Sequence, residues 1–274
     1  PTAPSCLNTF PGFYLENYTP TKVVDIKKTV IWEYFRDCFG HGEVGDKMHD
    51  ILCRLAWLVQ RPAERSESIH CLVSEAEGTG KTFMHLILEL ILSRSLVRFV
   101  DQLDAYLTRF NYTFHSKLAI FVDDISVASA LMTRKLFGKT TCTVQTYEKK
   151  GDTTFEIDEF SNIFISGNQL NLLHISPEDR RQKIFHFSKL HHQDRKFFGR
   201  MASAVRDLDV GHSLYTFLKG YDLTGFHPSQ NPPTDMKNQC IESCMVKSHM
   251  FLNWFFEDDG WLRAYKHTDT PIKF

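Results

Sequence analysis

The chain has 274 residues, of which 42% are apolar and 24% are charged, and its formal net charge is −1. These values are typical of a globular protein with a sizeable buried core, and they exclude a disordered, collagen-like or disulfide-scaffold chain. They also exclude a protein that is basic overall, so any nucleic-acid site must be a local patch.

Cysteine usage and hydropathy bear on the compartment. The seven cysteines are scattered and odd in number, which predicts reduced thiols and an intracellular protein, in host cytoplasm or nucleus. Since no run of about 18 apolar residues occurs, no membrane span is expected. The chain starts at Pro1 without a secretory signal, and the missing Met suggests a piece of a longer polypeptide.

The N-terminal region is predicted to be an arm followed by helices. Residues 1–22 are aperiodic, whereas residues 24–60 show helical spacing of apolar residues in two stripes. Gly40, Gly42 and Gly45 separate the stripes, and Pro62 predicts the end of the second helix. We therefore predict an N-terminal arm and helical subdomain over residues 1–65.

The central region alternates apolar strands with helices. Four short apolar runs are predicted strands: residues 69–73, 118–122, 162–166 and 183–187, with a helix over about 81–93. This alternation predicts an α/β fold with a parallel sheet covered on both faces, over residues 66–190. An alternating stretch around Lys149 and Lys150 predicts an inserted β-hairpin at about 143–158.

The C-terminal region turns helical again. Helical patterns cover residues 197–208, 213–218 and 238–256, with a Pro/Asn-rich loop at 227–234. We predict a C-terminal helical subdomain over residues 191–274. The segment from Arg180 to Arg200 is the clearly basic stretch of a nearly neutral chain. It is interpreted equally as a nucleic-acid or subunit contact and as a solvated helix face.

The sharpest motif lies between the first predicted strand and its helix, at residues 74–82 (Ser-Glu-Ala-Glu-Gly-Thr-Gly-Lys-Thr). Small residues let backbone N–H groups face a phosphate, a Lys reaches the β and γ phosphates, and a Ser or Thr hydroxyl binds Mg²⁺. Gly78, Thr79, Gly80, Lys81 and Thr82 supply these parts. The alternative is an ordinary glycine turn into a helix.

This phosphate loop departs from the usual G-x-x-x-x-G-K-[ST] pattern at its first position, which is Glu75. We expect Glu75 to need a backbone conformation that costs it energy, and its charge to lie close to bound phosphates. Asp123 and Asp124 follow the second predicted strand. Behind a phosphate loop, such a pair can hold Mg²⁺ through water and orient the attacking water.

Three further features lie beyond Asp124 in the chain. Asn168, after the next predicted strand, can sense a γ-phosphate, although a Gly-Asn turn is equally ordinary. Arg180 or Arg181 can stabilise charge on a transferred phosphoryl group across a subunit boundary, or belong to a solvated turn. Lys149 and Lys150 at the hairpin tip can contact a phosphate backbone, or protect a sheet edge.

Along the chain the order is the phosphate loop, the strand that ends in Asp123 and Asp124, the lysine-tipped hairpin, the strand that ends near Asn168, and the Asp-Arg-Arg segment. In this order the elements resemble superfamily 3 helicases, the viral and plasmid branch of the AAA+ ATPases. More narrowly, they resemble the helicase module of phage-, plasmid- and large-DNA-virus-type primase–helicases. The resemblance extends to flanking segments, namely residues 8–13 (Asn-Thr-Phe-Pro-Gly-Phe), 55–62 (Leu-Ala-Trp-Leu-Val-Gln-Arg-Pro), 222–228 (Asp-Leu-Thr-Gly-Phe-His-Pro) and 232–234 (Pro-Pro-Thr). It implies a P-loop AAA+ core flanked by helical subdomains.

The resemblance also implies roles. Gly78, Thr79, Gly80, Lys81 and Thr82 match the ATP-binding loop, with Thr82 and Asp123 on Mg²⁺. Asp123 and Asp124 match the metal- and water-activating pair, in which the family more often has Glu second, and Asn168 matches the sensor. Arg180 or Arg181 matches the arginine acting on the neighbouring subunit's ATP. Lys149 or Lys150 matches the hairpin that tracks single-stranded DNA in the channel of a ring.

The leading hypothesis is thus an ATP hydrolase: a homo-oligomeric, typically hexameric, DNA helicase motor that binds ATP and Mg²⁺ between its subunits. The resemblance further implies movement 3′ to 5′ on DNA and is compatible with a primase domain in the same polypeptide. One alternative is a catalytically weakened ring that serves as a replication scaffold, because Glu75 repels phosphates. A second is another P-loop enzyme such as a small-molecule kinase. The inserted lysine hairpin and the Asp-Arg-Arg segment disfavour the kinase.

Overall fold

The computed structural model describes residue 10 and residues 12–125, 127–176, 178–231 and 234–244. Several residues of the flanking motifs lie outside this part of the chain: Asn8, Thr9, Pro11, Pro232 and Pro233. The predicted helix over 238–256 is described only as far as residue 244.

The N-terminal segment is helical where the apolar stripes predicted helices. Short 3-10 turns at Tyr14–Glu16 and Ile26–Lys28 precede α1 (Val30–Tyr34), which continues into a π-helical turn at Phe35–Phe39. After the glycine-containing loop, α2 spans Asp46–Gln60 and ends two residues before Pro62. Gly40 is required in this loop, because a Cβ there would lie 2.1 Å from the carbonyl oxygen of Glu43.

A five-stranded parallel sheet forms the centre of the molecule. The chain's seven strands within the described residues are β1 (Ile69–Val73), β2 (Val97–Val100), β3 (Ala119–Val122), β4 (Val144–Tyr147), β5 (Phe155–Asp158), β6 (Asn162–Gly167) and β7 (Gln182–His186). The sheet order is β2-β3-β6-β1-β7. In register, Val73 pairs with Gly167 of β6 and with His186 of β7, and Val122 pairs with Ile165.

Helices cover both faces of the sheet, as the apolar strands predict. The remaining helices are α3 (Phe83–Leu92), α4 (Leu103–Tyr106), α5 (Ala130–Thr141), α6 (Arg195–Ala204), α7 (Leu208–Lys219) and α8 (Asp235–Cys244). Leu72 packs into an apolar cluster with α1, α2, α3, α6 and α7. Its strand neighbours Cys71 and Val73 pack into a second cluster with residues of α4, α5 and α8. This alternation shows that both faces are buried.

The terminal helical segments share one layer. α2 packs on α7 and α1 on α6, so the predicted segments 1–65 and 191–274 contribute to the same apolar cluster. The helix predicted over 197–208 is interrupted after Ala204, because the Asp207 carboxylate accepts a hydrogen bond from Asp209 N (3.0 Å) and caps a new helix. The boundaries at 65/66 and 190/191 stay predictions.

The predicted hairpin is confirmed. β4 and β5 form a separate antiparallel pair in which Tyr147 faces Phe155. The end of the hairpin next to its connecting loop is fixed by Asn111, whose Nδ2 donates to Thr146 O (2.9 Å) and whose Oδ1 accepts from Glu148 N (2.9 Å). Within the described residues, no helix is both long and apolar enough to cross a bilayer.

Candidate nucleotide and nucleic-acid sites

The loop between β1 and α3 (residues 74–82), which we call the cradle, turns at two glycines. Gly78 and Gly80 adopt φ values of +65° and +91°, which favour glycine. At Gly80 a Cβ would lie 2.4 Å from the ring of Phe198, so a larger residue would require that ring to move. The Tyr34 hydroxyl donates to Gly80 O (3.2 Å), and Gln193 N donates to Gly78 O (3.1 Å). The loop is therefore held from α1 and from the segment before α6.

Lys81 lies at the centre of this cradle and is only 8% exposed. Its ammonium group donates to Asn168 Oδ1 (2.6 Å), and it lies 3.4 Å from both Ala76 O and Thr79 Oγ1. Burial lowers the pKa of Lys81, and the nearby carboxylates of Asp123, Asp124 and Glu77 oppose that shift. The cation is thus held in a partly dry site, where it interacts strongly with an anion.

The predicted acids and the sensor amide converge on the same edge of the sheet. Thr82 Oγ1 donates to Asp123 Oδ2 (2.9 Å), and Asn168 Nδ2 donates to Asp124 Oδ1 (3.0 Å). Together with the Lys81–Asn168 bond, these contacts join the loop, the end of β3 and the end of β6 in one network. Because β6 lies between β1 and β3, Asn168 is placed between the cradle and the acids.

Ser166 is a member of this network that the sequence did not single out. Its hydroxyl donates to Asp123 Oδ1 and accepts from Asp124 N (3.2 Å), and its side chain is fully buried. Asp124 has a φ of +46°, a left-handed conformation that Asp tolerates better than most residues. The sequence shows Ser166 only as a polar residue at the end of an apolar run. Its contacts with Asp123 and Asp124 follow from the register that brings the ends of β3 and β6 together.

The backbone of Glu75 does not adopt the costly conformation that its place in the motif predicts. Among the described residues other than glycine, six have a positive φ, and Glu75 is not one of them. The expectation of a strained backbone at this position is therefore wrong, because the loop turns at Gly78 and Gly80 instead. The Glu75 carboxylate forms an exposed ion pair with Lys189 Nζ (3.1 Å), which places a cation beside the charge.

Thr82 and Asp123 fit the predicted magnesium role. A hydroxyl and a carboxylate joined at 2.9 Å offer the hard oxygen ligands that Mg²⁺ prefers. No three His, Cys, Asp or Glu side chains converge on a metal site in the described part of the chain. Magnesium at nucleotide sites usually needs only one or two protein oxygens together with phosphates and water.

Arg180 and Arg181 lie at the opposite edge of the sheet. Arg181 O accepts from Ile69 N (2.7 Å) at the start of β1, and the five residues of β7 separate it from the edge that carries the cradle. At about 3.3 Å per residue this is a separation of roughly 16 Å. Arg181 is paired with Asp179 (2.9 Å) and stacked on Phe137 (4.1 Å), whereas Arg180 is exposed.

Lys149 and Lys150 are exposed in the loop that joins β4 to β5. Lys149 Nζ lies 5.6 Å from the centre of the Tyr112 ring, which is itself 38% exposed. Phe110 is 46% exposed and precedes Tyr112 by two residues. The hairpin tip therefore combines two cations with exposed aromatic rings, the combination that stacks bases and contacts phosphates in single strands.

Comparison with known proteins bears on the fold. Residues 72–181, less than half of the chain, match a family of unknown function, DUF5906. A solved apo structure of the C-terminal region of NrS-1 has a TM-score of 0.74 at 18% identity, over 95% of this chain and 63% of that chain. Two others have TM-scores of 0.71 and 0.69 at 18% and 17% identity, each over 86% of this chain.

These likenesses show a shared fold. The chain covers 56% and 55% of the last two structures, so it spans little more than half the length of those solved chains. No curated protein matches the chain. The α/β architecture with a parallel sheet is thus shared with the C-terminal region of NrS-1.

Proposed function

We propose that the chain is the ATPase motor of a DNA replication helicase of the superfamily 3, AAA+ type, and a module of a longer replication protein. One observation carries the proposal. Three distant segments contribute Lys81 and Thr82, Asp123 and Asp124, and Asn168. Together with Ser166, which bridges the two acids, these residues form one hydrogen-bonded network at the carboxyl ends of the parallel strands. Each of the first five is the residue type that nucleoside triphosphate hydrolysis needs at its position.

The residues divide the work as follows. Backbone N–H groups of the cradle and the Lys81 ammonium bind the phosphates, and Lys81 exchanges its Asn168 bond for the γ-phosphate. Thr82 and Asp123 would hold Mg²⁺, which would neutralise phosphate charge. Asp124 orients a water molecule and accepts its proton as the oxygen attacks the γ-phosphorus. The bond to the ADP oxygen then breaks, and Asn168 senses the released phosphate.

Arg180 completes this site from a neighbouring subunit. It lies at the sheet edge remote from its own chain's cradle, so it reaches a nucleotide only in another copy. Arg181 is occupied by Asp179 and Phe137, which leaves Arg180 as the arginine available for the trans role. A ring of copies, with hairpins lining its channel, brings Lys149 and Lys150 to a single strand of DNA.

The scaffold alternative rests on repulsion by Glu75. The Lys189 ammonium beside that carboxylate offsets the charge, so we favour a competent phosphate site over a degenerate one. The kinase alternative has no specific support in the geometry.

Steady-state ATP turnover, with and without single-stranded DNA, tests the proposal. Wild type is compared with Lys81→Ala, Asp124→Asn and the control Lys28→Ala, which removes a lysine whose side chain is 84% exposed. We expect DNA to raise the wild-type rate, Lys81→Ala to abolish turnover, and Asp124→Asn to bind ATP without hydrolysing it. No ATP binding by an assembled, folded wild type would refute the motor and favour the scaffold.

A further inference from the structure

The segment 179–181 is held in place at consecutive backbone carbonyls. Lys237 Nζ donates to Asp179 O, Asn231 Nδ2 donates to Arg180 O (2.8 Å), and Ile69 N donates to Arg181 O (2.7 Å). The Arg181 side chain is in turn clamped on Asp179, whose Oδ1 also accepts from Arg181 N (2.8 Å). A three-residue loop is thereby fixed along its whole length.

The Arg180 guanidinium is the exception. It is exposed, and within the described part of the chain no hydrogen bond or ion pair engages it. A rigid backbone that carries one long, unoccupied cationic side chain is preorganised to present that side chain outward. Two of the three fixing groups, Asn231 and Lys237, belong to the C-terminal segment, which otherwise has no role in the proposed chemistry.

Asn231 is itself built into the core. Its side chain is buried, and its Oδ1 accepts from Arg54 Nη2 (2.9 Å) while its Nδ2 also donates to Ser68 Oγ (2.7 Å). Arg54 is 2% exposed and is anchored by Asp50 (2.9 Å). The amide is therefore held rigidly on one side and holds the Arg180 backbone on the other.

We propose that Asn231 and Lys237 are positioning residues that hold the Arg180 loop so that its guanidinium reaches the nucleotide of a neighbouring copy. This inference rests on the proposed ATPase. Neither residue touches nucleotide; each acts through the Arg180 backbone. Loss of either one leaves ATP binding intact and lowers the turnover that depends on the arginine.

Asn231→Asp is the sharpest test, because it is nearly isosteric. It retains the acceptor for Arg54 and replaces the donor to Arg180 O with an oxygen that repels that carbonyl. It also removes the donor to Ser68 Oγ, a bond that Lys237→Met leaves in place. Lys237→Met is a second, independent variant. Gln60→Glu is the matched control, since Gln60 Nε2 donates to two backbone carbonyls, Leu218 O and Tyr221 O (2.8 Å each), which belong to another part of the fold.

Turnover, ATP affinity and mixing are measured together. We expect Asn231→Asp and Lys237→Met to lower kcat at least tenfold with ATP affinity within twofold of wild type, while Gln60→Glu keeps both. Mixing Asn231→Asp with Lys81→Ala should restore turnover above the sum of the two. In mixed assemblies, the intact Arg180 loop of a Lys81→Ala copy then faces the intact cradle of an Asn231→Asp copy.

Arg180→Ala distinguishes a failure of the positioning role from a failure of the proposed ATPase. If Arg180→Ala lowers kcat but Asn231→Asp and Lys237→Met do not, the positioning role is refuted and the ATPase stands. If the Asn231→Asp variant loses ATP affinity in proportion to its loss of folded protein and no mixing restores turnover, the role is merely structural and the inference fails. If wild type neither binds nor hydrolyses ATP, the proposed function itself fails.

Discussion

At the scale of single residues, Ser166 shows how a side chain without charge can set the geometry of two charged ones. Its hydroxyl bridges Asp123 Oδ1 and Asp124 N, at the point where the chain turns through a positive φ. A hydrogen bond to a charged group contributes about 1.5–3 kcal/mol. Without it, Asp123 is free to rotate and Asp124 loses a backbone restraint.

We therefore expect Ser166→Ala to bind ATP with near-normal affinity and to lower kcat by about tenfold or more, which corresponds to about 1.4 kcal/mol of transition-state stabilisation. Steady-state turnover and equilibrium ATP binding check this. Ser66→Ala, which removes a buried hydroxyl bonded to Ser68 O (3.1 Å), is the control. An unchanged kcat in Ser166→Ala would show that the acids need no such bridge.

His70 makes a different residue-level prediction, about stability against pH. Its ring is buried in β1, stacked on Phe164 at 4.4 Å, and its Nδ1 is 3.1 Å from Ile163 O. Burial, followed by the Arg54 charge 3.3 Å from Nε2, lowers the pKa of His70 well below its usual value. The folded protein thus keeps this imidazole neutral where the unfolded chain takes up a proton.

The protonation of His70 makes the free energy of unfolding depend on pH. Below about pH 6.5 the unfolded chain binds a proton that the folded protein refuses, so stability falls as the pH falls, by up to about 1.4 kcal/mol per pH unit. We expect His70→Gln to be less stable at pH 7.5 but to lose less stability between pH 7.5 and 5.5 than wild type does. Urea unfolding measures both slopes, with the exposed His192→Gln as control. Parallel slopes for His70→Gln and wild type would contradict this.

At the scale of elements, the hairpin β4–β5 is the device proposed to contact DNA. Its two tip lysines are exposed, so they contribute charge without supporting the fold. We expect Lys149→Ala with Lys150→Ala to leave ATP turnover without DNA unchanged and to weaken DNA stimulation. The slope of log affinity against log salt should fall in magnitude by about 1.4, at roughly 0.7 per phosphate contact on a single strand.

Lys27 and Lys28 offer a matched control for the hairpin, because they are adjacent, exposed lysines at the end of a 3-10 turn. Replacing both with Ala removes the same charge from a different surface. If that double variant lowers DNA affinity as much as the hairpin variant does, the effect belongs to net charge and not to the hairpin tip.

Elements also differ in how well sequence reveals them. β1, β3, β6 and β7 were predictable, because buried parallel strands are continuous apolar runs between turns. β2 was missed, since its four residues (Val-Arg-Phe-Val) lie at the sheet edge with two of them exposed, directly after an apolar helix. The cradle and its acids were predictable from spacing, whereas Ser166 and Asn231 act through contacts that only the register and the tertiary packing create.

At the scale of the whole molecule, the sheet keeps apart two groups that the proposed reaction needs together, the phosphate-binding loop and Arg180. The cradle lies at the carboxyl ends of the strands, and Arg180 lies beside their amino ends, roughly 16 Å away along β7. No side-chain rotation spans that distance within one chain, since an extended arginine reaches only about 7 Å from its Cα. The proposed site, which includes Arg180, therefore requires two copies.

This arrangement predicts that activity depends on assembly. We expect turnover per chain to be low in dilute solution and to rise with protein concentration over the range in which sedimentation shows copies associating. Arg180→Ala should assemble like wild type and yet stay at the low rate, because its cradle never meets a guanidinium. ATP turnover measured in parallel with sedimentation across a concentration series decides this. Full turnover by a chain that sediments as a monomer would show that the Lys81 cradle is complete on its own, and that Arg180 serves another purpose.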